Sequence, residues 1–258
     1  LQRALAWGAD YLATGHYALI ACDNGRYRLL QAQDSSKDQS YVLYTLGQAE
    51  LGRLLFPVGG YTKAQVRELA RRWGLPVAAK PDSQEICFAP GGYRSFLSPL
   101  VPAQPGPIVD GVGHRLGEHQ GLAGYTVGQR QGLRLSTRYP EAQPCYVTRL
   151  EPETNTLVVG PESDLMADAL CASRLCLVSG ETPAAPLQCT ARVRYRAPLA
   201  AATVFPQGAG AEVRFDQPQR AIAPGQAVVL YNGAEVLGGG TIERAWRAVS
   251  TGLATAAS

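Results

Sequence analysis

The sequence lacks most of the features that mark metal-binding, secreted or membrane-spanning proteins. Six cysteines occur along the chain, and they form neither a CxxC pair nor a cluster with the three histidines. A zinc site and a disulfide scaffold are therefore not expected, and we predict no bound metal. No basic-then-apolar leader opens the sequence and no apolar run of roughly 18 residues occurs in it, so we expect a cytoplasmic protein.

A strong charge of either sign is also absent. The 24 Lys and Arg residues against 21 Asp and Glu residues give a formal net charge of +3. Such a mildly basic chain permits an RNA partner without requiring one, because phosphate binding depends on a local patch. With 46% apolar and 17% charged residues, the chain of 258 residues excludes global disorder and suffices for two or three small domains.

A glycine-rich phosphate-binding loop does not precede any predicted helix in residues 1–90. Gly59-Gly60 and Gly91-Gly92 are isolated pairs, and Gly238-Gly239-Gly240 lies in a strand-rich part of the chain. Such a loop is what holds a nucleotide triphosphate at a helix N-terminus. These residues alone therefore do not predict a complete ATP site.

The first 95 residues are predicted to mix helices and strands. Residues 1–7 should form the last part of a helix, with Gly8 as its C-cap. Residues 10–13 should form a short buried strand. Asp23-Asn24-Gly25 predicts a hairpin turn within residues 19–30. Ser35-x-x-Asp38 is typical of a helix start.

The clearest predicted helix covers residues 63–73. Thr62 and Gln65 form a capping box at its start, and Gly74 and Pro76 follow its end. Its two faces are distinct, one apolar with Val66, Leu69, Ala70 and Trp73, the other basic with Lys63, Arg67, Arg71 and Arg72. A solvent-exposed surface explains the basic face, and an RNA-backbone contact would also explain it.

The second half of the sequence is predicted to be rich in strands. Several prolines between residues 97 and 112 mark a linker or the entry to a domain. Short β-type runs then alternate with turn signals at residues 146–148, 156–159, 190–195, 203–205, 212–215, 227–231 and 236–237. This spacing predicts small β-barrels instead of βαβ units.

Cys87 is the candidate for reactive chemistry. It ends the run Lys80-Pro81-Asp82-Ser83-Gln84-Glu85-Ile86-Cys87, in which charged and turn-forming residues surround the thiol. A thiol in such a setting can be held as a thiolate and can carry a transferable sulfur. The alternative is a small buried hydrophobe between Ile86 and Phe88. The apolar neighbours of Cys171 and Cys176 predict that those two thiols are buried.

Two polar segments are candidates for ligand binding. Gly15-His16 directly follows the predicted strand 10–13, and ligands bind at the carboxyl ends of strands in open parallel sheets. Lys37-Asp38-Gln39 offers a cation, an acceptor and an amide, which suits phosphates and base edges. For the first segment a simple turn is the alternative. For the second segment, the alternative is a helix N-terminus at which Asp38 lies near the positive end of the helix dipole.

Three arginines alternate near the end of a predicted strand. On a strand, Arg192, Arg194 and Arg196 would share one face and Tyr195 would lie on the other. Guanidinium groups on one face repel one another unless an anion is present. The pattern therefore favours a phosphate contact, and a plain solvent-exposed surface is the alternative.

Further motifs accompany these residues in a fixed order along the chain. They are Ala13-Thr14-Gly15-His16-Tyr17, Lys37-Asp38-Gln39-Ser40-Tyr41, Phe56-Pro57-Val58-Gly59, residues 80–88, Gly117-Glu118-His119-Gln120-Gly121-Leu122, Tyr125-Thr126-Val127-Gly128-Gln129-Arg130, Arg194-Tyr195-Arg196 and Pro224-Gly225-Gln226. In this order the set closely resembles the tRNA-specific 2-thiouridylases, which replace the C2 oxygen of the wobble uridine with sulfur. The resemblance extends to about Trp246.

The resemblance implies an α/β plus all-β fold. A Rossmann-like ATP pyrophosphatase domain (adenine nucleotide alpha hydrolase-like) would contribute residues 1–95. A small β-rich central domain would follow at 96–165, then a tRNA-binding β-barrel at 166–250 and a frayed tail at 251–258. Members of the family open with a Ser-Gly-Gly-x-Asp-Ser-type ATP loop and a second catalytic cysteine. We therefore expect the C-terminal two-thirds of such an enzyme, inactive alone.

The resemblance also implies roles for individual residues. Cys87 would be the catalytic residue and carry sulfur as a persulfide, and Gly15 would contact ATP. The implied tRNA-binding positions are His16, Lys37, Asp38, Gln39, Arg194, Tyr195 and Gln226. ATP, with Mg²⁺, would adenylate the uridine O2, and a sulfur-donor protein would load Cys87. The second cysteine would then form a disulfide with Cys87. The expected partners are tRNA and the donor protein, without a membrane.

One position departs from the family pattern. Cys145 stands in Pro144-Cys145-Tyr146-Val147 where relatives often show tryptophan, so we expect this thiol to serve in packing. His114 and His119 are interpreted as structural or RNA-adjacent, because a metal site would need further ligands. Two other functions stay open at this point: a non-catalytic RNA-binding module, and a persulfide carrier without nucleotide chemistry.

Overall fold

The computed structural model describes residues 1–79, 104–133, 135 and 144–247. The chain divides into two compact units. The first comprises Leu1–Pro81, Leu170–Gln217 and Pro224–Arg244, and the second comprises Asp82–Ala169, Pro218–Ala223 and Ala245–Ser258. The domain boundaries predicted at residues 95, 165 and 250 stay predictions.

Residues 1–79 contain short helices and strands. The helices are α1 (Gln2–Ala6), α2 (Gln48–Leu51) and α3 (Lys63–Arg72), with a 3₁₀ turn at Ser40–Leu43. The strands are β1 (Leu12–Ala13), β2 (Ala18–Asp23), β3 (Arg26–Gln31) and β4 (Leu54–Leu55). β1 and β4 pair in parallel. The predicted first helix and first strand are present and shorter than expected, but the prediction that the strand is buried is wrong, since Leu12 is only half-buried and Ala13 is exposed.

The predicted hairpin is formed by β2 and β3. Its turn residues Asn24 and Gly25 have φ angles of 50° and 78°, the left-handed conformation that an Asn-Gly pair adopts in a type I′ turn. The strands pair from Ala18 opposite Gln31 to Asp23 opposite Arg26. This register places Ala18 and Leu29, both fully buried, on the core face.

The helix start predicted at Ser35-x-x-Asp38 is wrong. Residues 35–37 form a turn, and only the 3₁₀ turn Ser40–Leu43 follows. The cause is Asp38, whose Oδ1 accepts hydrogen bonds from the N–H groups of Ala32 and Ser40. An aspartate that bonds to the N–H two residues onward forms a local turn that competes with a helix.

α3 begins as predicted. Thr62 Oγ1 accepts a hydrogen bond from Gln65 N–H (3.3 Å), and Gln65 Oε1 accepts one from Thr62 N–H (2.7 Å). The helix ends at Arg72, and Gly74 follows with φ of 65°. The prediction that Trp73 belongs to the apolar face is wrong, because Trp73 lies beyond the helix and is 70% exposed.

The second unit contains a four-stranded sheet. Its strands are β5 (Gly106–Val109), β6 (Arg115–His119), β7 (Tyr146–Glu151) and β8 (Thr156–Gly160), in the order β6-β5-β8-β7. Ile108, Val147, Leu157 and Val159 form its core, and Cys145 packs against them. The prediction that Cys145 serves in packing is therefore confirmed.

His119 is a structural residue of this sheet. It is fully buried, and its Nδ1 accepts a hydrogen bond from Gly121 N–H at 3.1 Å. Its Nε2 lies 2.9 Å from the carbonyl oxygen of Asn155, to which a neutral imidazole protonated at Nε2 donates. Both ring nitrogens are thus engaged inside the protein, as expected for a structural histidine.

Six strands from the C-terminal part of the chain close into a barrel. They are β9 (Met166–Leu177), β10 (Leu187–Arg192), β11 (Ala200–Gln207), β12 (Gly210–Arg220), β13 (Ala227–Asn232) and β14 (Glu235–Trp246). The order is β13-β10-β11-β12-β9-β14, and β13 also pairs with β14. Closure leaves none of the six as a free edge, and it confirms the predicted C-terminal barrel.

The hairpin of residues 18–31 extends the sheet of this barrel. β3 pairs with β14, and Gln31 N–H donates a hydrogen bond of 2.8 Å to the Ala234 carbonyl. The two parts of the first unit share one hydrophobic core, formed by Ala18, Leu29, Tyr41, Leu51, Val178, Val229, Tyr231 and Val236. Residues 17–51 are thereby fixed relative to the barrel.

Candidate nucleic-acid interface

A pocket opens in the first unit where residues 34–39 meet the end of β10. Its volume is about 460 Å³, within the range of ligand sites. The lining residues come from two segments far apart in the sequence: Ser35, Ser36, Lys37, Asp38, Arg192, Tyr195, Arg196 and Ala197. The fold therefore brings the Lys37-Asp38-Gln39 motif next to the arginine-rich segment.

Asp34 holds one side of the loop 34–39. Its Oδ1 accepts hydrogen bonds from the Ser36 N–H (3.1 Å) and hydroxyl (2.6 Å), and its Oδ2 accepts one from Lys63 N–H (2.9 Å). The hydrogen bond from the Lys63 backbone, followed by that from the Ser36 side chain, holds the pKa of Asp34 below its usual range. Asp34 is therefore ionised at neutral pH.

Asp38 holds the other side of the loop and is only 5% exposed. Its Oδ1 accepts from Ala32 N–H (3.0 Å) and Ser40 N–H (3.2 Å). Its Oδ2 accepts from the Ser40 hydroxyl (2.9 Å), Gln31 Nε2 (3.2 Å) and Arg192 Nη1 (3.4 Å). The predicted tRNA-binding position Asp38 is thus a buried carboxylate with five internal donors.

Arg192 is the barrel's partner for that carboxylate. Its side chain is 19% exposed, against 2% for the side chain of Asp38. Its guanidinium carbon lies 5.3 Å from the ring centroid of Tyr231, a fully buried residue whose phenol pKa is raised by that burial. Arg192 therefore combines a largely buried ion pair with a cation–π contact, and both fix its position.

The turn after β10 presents an aromatic ring to solvent. Tyr195 is 39% exposed, the Arg196 guanidinium carbon lies 5.4 Å from its ring centroid, and the Tyr41 ring lies at 6.0 Å. The predicted face of three arginines opposite Tyr195 is wrong. β10 ends at Arg192, and Arg196 with φ of 66° lies in a turn, so the period of two does not extend to it.

Gly15 and His16 follow β1, as the sequence predicted. His16 Nδ1 lies 2.9 Å from Thr14 Oγ1, and the His16 ring makes an edge contact with Phe56. The next residue, Tyr17, is tied twice to Gln39, because Gln39 Oε1 accepts from Tyr17 N–H (3.0 Å) and Gln39 N–H donates to the Tyr17 carbonyl (2.8 Å). The Gly15-His16 segment is therefore joined to the loop 34–39.

Gln226 lies in the exposed turn before β13. The residue after it, Ala227, accepts a hydrogen bond of 2.7 Å from the Tyr41 hydroxyl, and Tyr41 contacts Tyr195. All the predicted tRNA-binding positions, His16, Lys37, Asp38, Gln39, Arg194, Tyr195 and Gln226, therefore belong to the first unit. Contacts within the protein connect the loop, the turn and the β13 entry.

Two polar pocket residues, Ser35 and Ser36, were not predicted as binding candidates. Ser35 and Ser36 line the pocket with hydroxyl groups, and Arg196 adds a second guanidinium. The serines were interpreted as part of a helix start, although Asp34 followed by two serines is also a turn signal. With the Asp38 carboxylate buried and engaged by the protein, Lys37 and Arg196 make the pocket suitable for a phosphate.

The cysteines divide by exposure. Cys87 lies outside the described residues, so its predicted reactivity stays a prediction. Cys22 is exposed, whereas burial raises the pKa of Cys189 to about 11 and also raises the pKa of Cys145. The prediction that Cys171 and Cys176 are buried is wrong, since both are only half-buried.

The described residues do not form a complete site for ATP and a metal. Gly15 is exposed, and a Cβ built on it would meet no atom of the described residues within 4 Å, so these residues form no wall around it. No group of three or more His, Cys, Asp or Glu residues suited to a metal occurs in residues 1–79, 104–133, 135 and 144–247.

In the same ranges, none of the helices has the length and apolar character to span a bilayer.

Three family models match consecutive parts of the chain. They are described as a tRNA methyl transferase HUP domain (residues 1–91), a tRNA methyl transferase PRC-barrel domain (residues 94–161) and an aminomethyltransferase beta-barrel domain (residues 167–242). These matches define a Rossmann-like nucleotide-binding domain followed by two β-rich domains. The predicted fold class is thereby confirmed.

Curated relatives identify the family. A tRNA-specific 2-thiouridylase from Roseiflexus castenholzii is 51% identical over 95% of this chain and 70% of its own length. A tRNA-specific 2-thiouridylase from Moorella thermoacetica is 50% identical over 94% of this chain and 69% of its own. The chain belongs to the tRNA-specific 2-thiouridylases, a family of tRNA sulfurtransferases. Membership implies the use of ATP.

Proposed function

We propose that this protein takes part in the ATP-dependent 2-thiolation of the wobble uridine, position 34, of tRNA, with sulfur delivered through a persulfide on Cys87. The tRNA-binding part of this proposal rests on the pocket between the loop 34–39 and the turn after β10. Its lining includes Lys37, Asp38 and Tyr195, which are positions that the family motifs assign to tRNA, and it carries cationic groups beside an exposed aromatic ring.

The pocket suits a nucleotide of a tRNA loop. Lys37 and Arg196 supply cations for a phosphate, while Ser35 and Ser36 supply hydroxyl donors. Tyr195 supplies a ring against which an unpaired base can stack. His16, Gln39, Arg194 and Gln226 are proposed to contact the same RNA from the surrounding elements.

The sulfur chemistry is proposed for Cys87. A persulfide on a donor protein transfers its outer sulfur to the Cys87 thiolate, which releases the donor as a thiolate. The outer sulfur of the new persulfide then bonds to C2 of the uridine as the C2–O2 bond breaks, and O2, activated at the expense of ATP, leaves as part of AMP. A second thiolate cleaves the S–S bond, which leaves the thiolated tRNA and a disulfide that includes Cys87. The two cysteine thiolates lose two electrons when they form this disulfide. The transferred sulfur gains these two electrons, so the step balances.

We expect ATP with Mg²⁺ to activate the uridine oxygen. The described residues contribute only the Gly15 edge to a nucleotide site, so no step on the nucleotide is assigned to them. Accordingly, we propose that these 258 residues alone bind tRNA and accept sulfur but do not complete thiolation. A cytoplasmic location is proposed with the donor protein and tRNA as partners.

The test measures tRNA binding and sulfur loading separately on the 258-residue chain. We expect salt-sensitive binding of an unmodified tRNA, and a mass increase of one sulfur on the Cys87 peptide after incubation with a persulfide donor. Binding without sulfur loading would support an RNA-binding module instead. Loading without binding would support a persulfide carrier. Formation of 2-thiouridine by the chain alone would contradict the proposed division of labour.

A further inference from the structure

We infer that Asp38 and Arg192 act as a positioning pair that assembles the tRNA pocket, and that neither carboxylate nor guanidinium needs to contact the RNA. This inference rests on the proposed tRNA binding and adds to it a role for Arg192. It also gives Asp38 a role other than direct RNA contact. The pair joins the loop 34–39 to the barrel across 154 positions of sequence.

The first support is the state of the Asp38 carboxylate. Both of its oxygens are engaged by donors of the protein, and its side chain is 2% exposed. A phosphate would also be repelled by this negative charge. An anionic side chain that is buried and fully hydrogen-bonded organises the groups around it and is a poor direct contact for RNA.

The second support is the place of Arg192 in the barrel. It is the last residue of β10, where it pairs with Val229 of β13, and its guanidinium packs over the buried ring of Tyr231. Its backbone and its head group are therefore both fixed. A fixed cation at the end of β10 holds Asp38 at 3.4 Å and thereby fixes the neighbouring residues Lys37 and Gln39.

The third support is the position of the pair between the two halves of the pocket. Lys37 and Gln39 flank Asp38 in sequence, and Arg194 and Tyr195 follow Arg192 by two and three positions. Loss of the pair would leave both halves folded but no longer held in one arrangement. Since a bound RNA needs both halves at once, the affinity would fall although no RNA contact is removed.

The test compares Asp38→Asn, Arg192→Met and Arg192→Lys with the unchanged protein in tRNA binding over a salt titration. We expect Asp38→Asn and Arg192→Met each to weaken binding by roughly tenfold, with the slope of log affinity against log salt unchanged. Arg192→Lys should recover part of the loss, because an ammonium group keeps the charge without the planar fork of donors. The double variant should lose no more than the worse single variant.

Asp38→Asn gives the sharpest distinction. Removing a negative charge from an RNA-binding surface strengthens binding on electrostatic grounds alone, whereas loss of a positioning pair weakens it. Stronger or unchanged binding by Asp38→Asn would overturn the inference. A decrease in the slope by about 0.7 to 0.9 in Arg192→Met would show a direct phosphate contact and would also overturn it.

Arg214→Met is the matched control. Arg214 also pairs with a carboxylate, Glu212, and also packs on an aromatic ring, Phe205 at 5.1 Å, but it does not line the pocket. We expect this variant to bind tRNA as the unchanged protein does, and an equal loss would contradict the inference. Thermal unfolding of each variant shows that binding is measured on folded protein, and Arg192→Lys keeps the test available if Arg192→Met does not fold.

Failure of the inference differs from failure of the proposed function. If the unchanged protein binds tRNA and the Asp38 and Arg192 variants bind equally well, only the positioning role is wrong. If the unchanged protein does not bind tRNA at all, the proposed function is wrong and the positioning role falls with it.

Discussion

The hydroxyl group of Tyr41 donates a hydrogen bond of 2.7 Å to the carbonyl oxygen of Ala227, which lies 186 positions further along the chain. Tyr41 is 6% exposed, and burial, followed by the nearby phenols of Tyr231 and Tyr44, raises its pKa to about 12. One phenol thus links the 3₁₀ turn after the loop 34–39 to the first residue of β13.

Tyr41 makes the fold sensitive to alkaline pH. Its pKa in the folded protein lies above the value of about 10 expected in the unfolded chain, so the folded state holds this proton more tightly. The corresponding stability is present below pH 10 and is lost as the pH rises towards 12. We expect the free energy of unfolding, measured with urea, to decrease from pH 9.5 to 11.5.

Tyr41→Phe tests this assignment. The variant should lose about 1 kcal/mol at pH 7, because the Ala227 carbonyl loses its donor, and its stability should fall less between pH 9.5 and 11.5. Tyr61→Phe is the control, since Tyr61 is 44% exposed. An unchanged alkaline decrease in Tyr41→Phe would assign the effect to other groups, of which Tyr231 is the first candidate.

Residue 59 must be glycine because it lies directly against the backbone of the β2–β3 hairpin. A Cβ at this position would lie 1.7 Å from the carbonyl oxygen of Ala18, whereas a Cβ at Gly60 would meet only Leu19 Cδ2 at 3.9 Å. Gly59→Ala should therefore destabilise the protein by more than about 3 kcal/mol, and Gly60→Ala by much less. Urea unfolding of the two variants checks this, and equal stabilities would contradict the close approach.

Arg194 is proposed to contact a phosphate of the tRNA. Replacing it with alanine should weaken tRNA binding and reduce the slope of log affinity against log salt by about one. Arg72→Ala, at the exposed end of α3, should change both quantities much less. Lys63 would be a poorer control, because its ammonium group lies over the Tyr17 ring. Equal losses for Arg194 and Arg72 would indicate diffuse attraction instead of a defined contact.

The cysteines are predicted to differ in reactivity at pH 8. Cys189 should alkylate last, because burial raises its pKa to about 11 and keeps the thiol protonated. Cys22 and Cys87 should alkylate early, but only Cys87 should gain a sulfur from a persulfide donor. Mass spectrometry of the peptides distinguishes the sites, and a sulfur found on Cys22 or Cys145 would contradict the assignment to Cys87.

Cys87→Ser separates sulfur transfer from RNA binding. A serine hydroxyl cannot hold a persulfide, so sulfur loading should be abolished while tRNA affinity changes little. Cys22→Ser should leave both unchanged. Loss of tRNA binding in Cys87→Ser would show that residues 80–88 serve the RNA interface and not only the sulfur.

Local signals predicted the parts of the fold that depend on neighbouring residues. The Asp23-Asn24-Gly25 turn and the Thr62–Gln65 capping box are determined within four residues, and both are present. The twelve-residue strand β9 was missed, because Cys171, Ser173 and Arg174 interrupt its apolar pattern. Its place in the barrel comes from pairing with β12 and β14, which a local pattern does not contain.

Three residues that line the pocket, Lys37, Asp38 and Tyr195, were named from the sequence, but the geometry of the pocket was not predicted. The motifs named Asp38 and Arg194 as positions near the RNA, yet they could not show that Asp38 is turned inward. One of the five donors that engage the buried carboxylate is Arg192, which lies 154 positions away. The strand predicted at residues 190–195 also extended too far. The arginines alternate along the sequence beyond Arg192, but there the chain forms a turn and its side chains no longer point to alternate faces.

The shared core of the first unit has a consequence for the order of synthesis. Ala18, Leu29, Tyr41 and Leu51 are synthesised well before their packing partners Val229, Tyr231 and Val236. Contacts of such sequence separation form slowly and late. A chain that stops before β13 therefore carries every motif of the loop 34–39 without the core partners that order it, so the pocket is assembled only after β13 and β14 have been made.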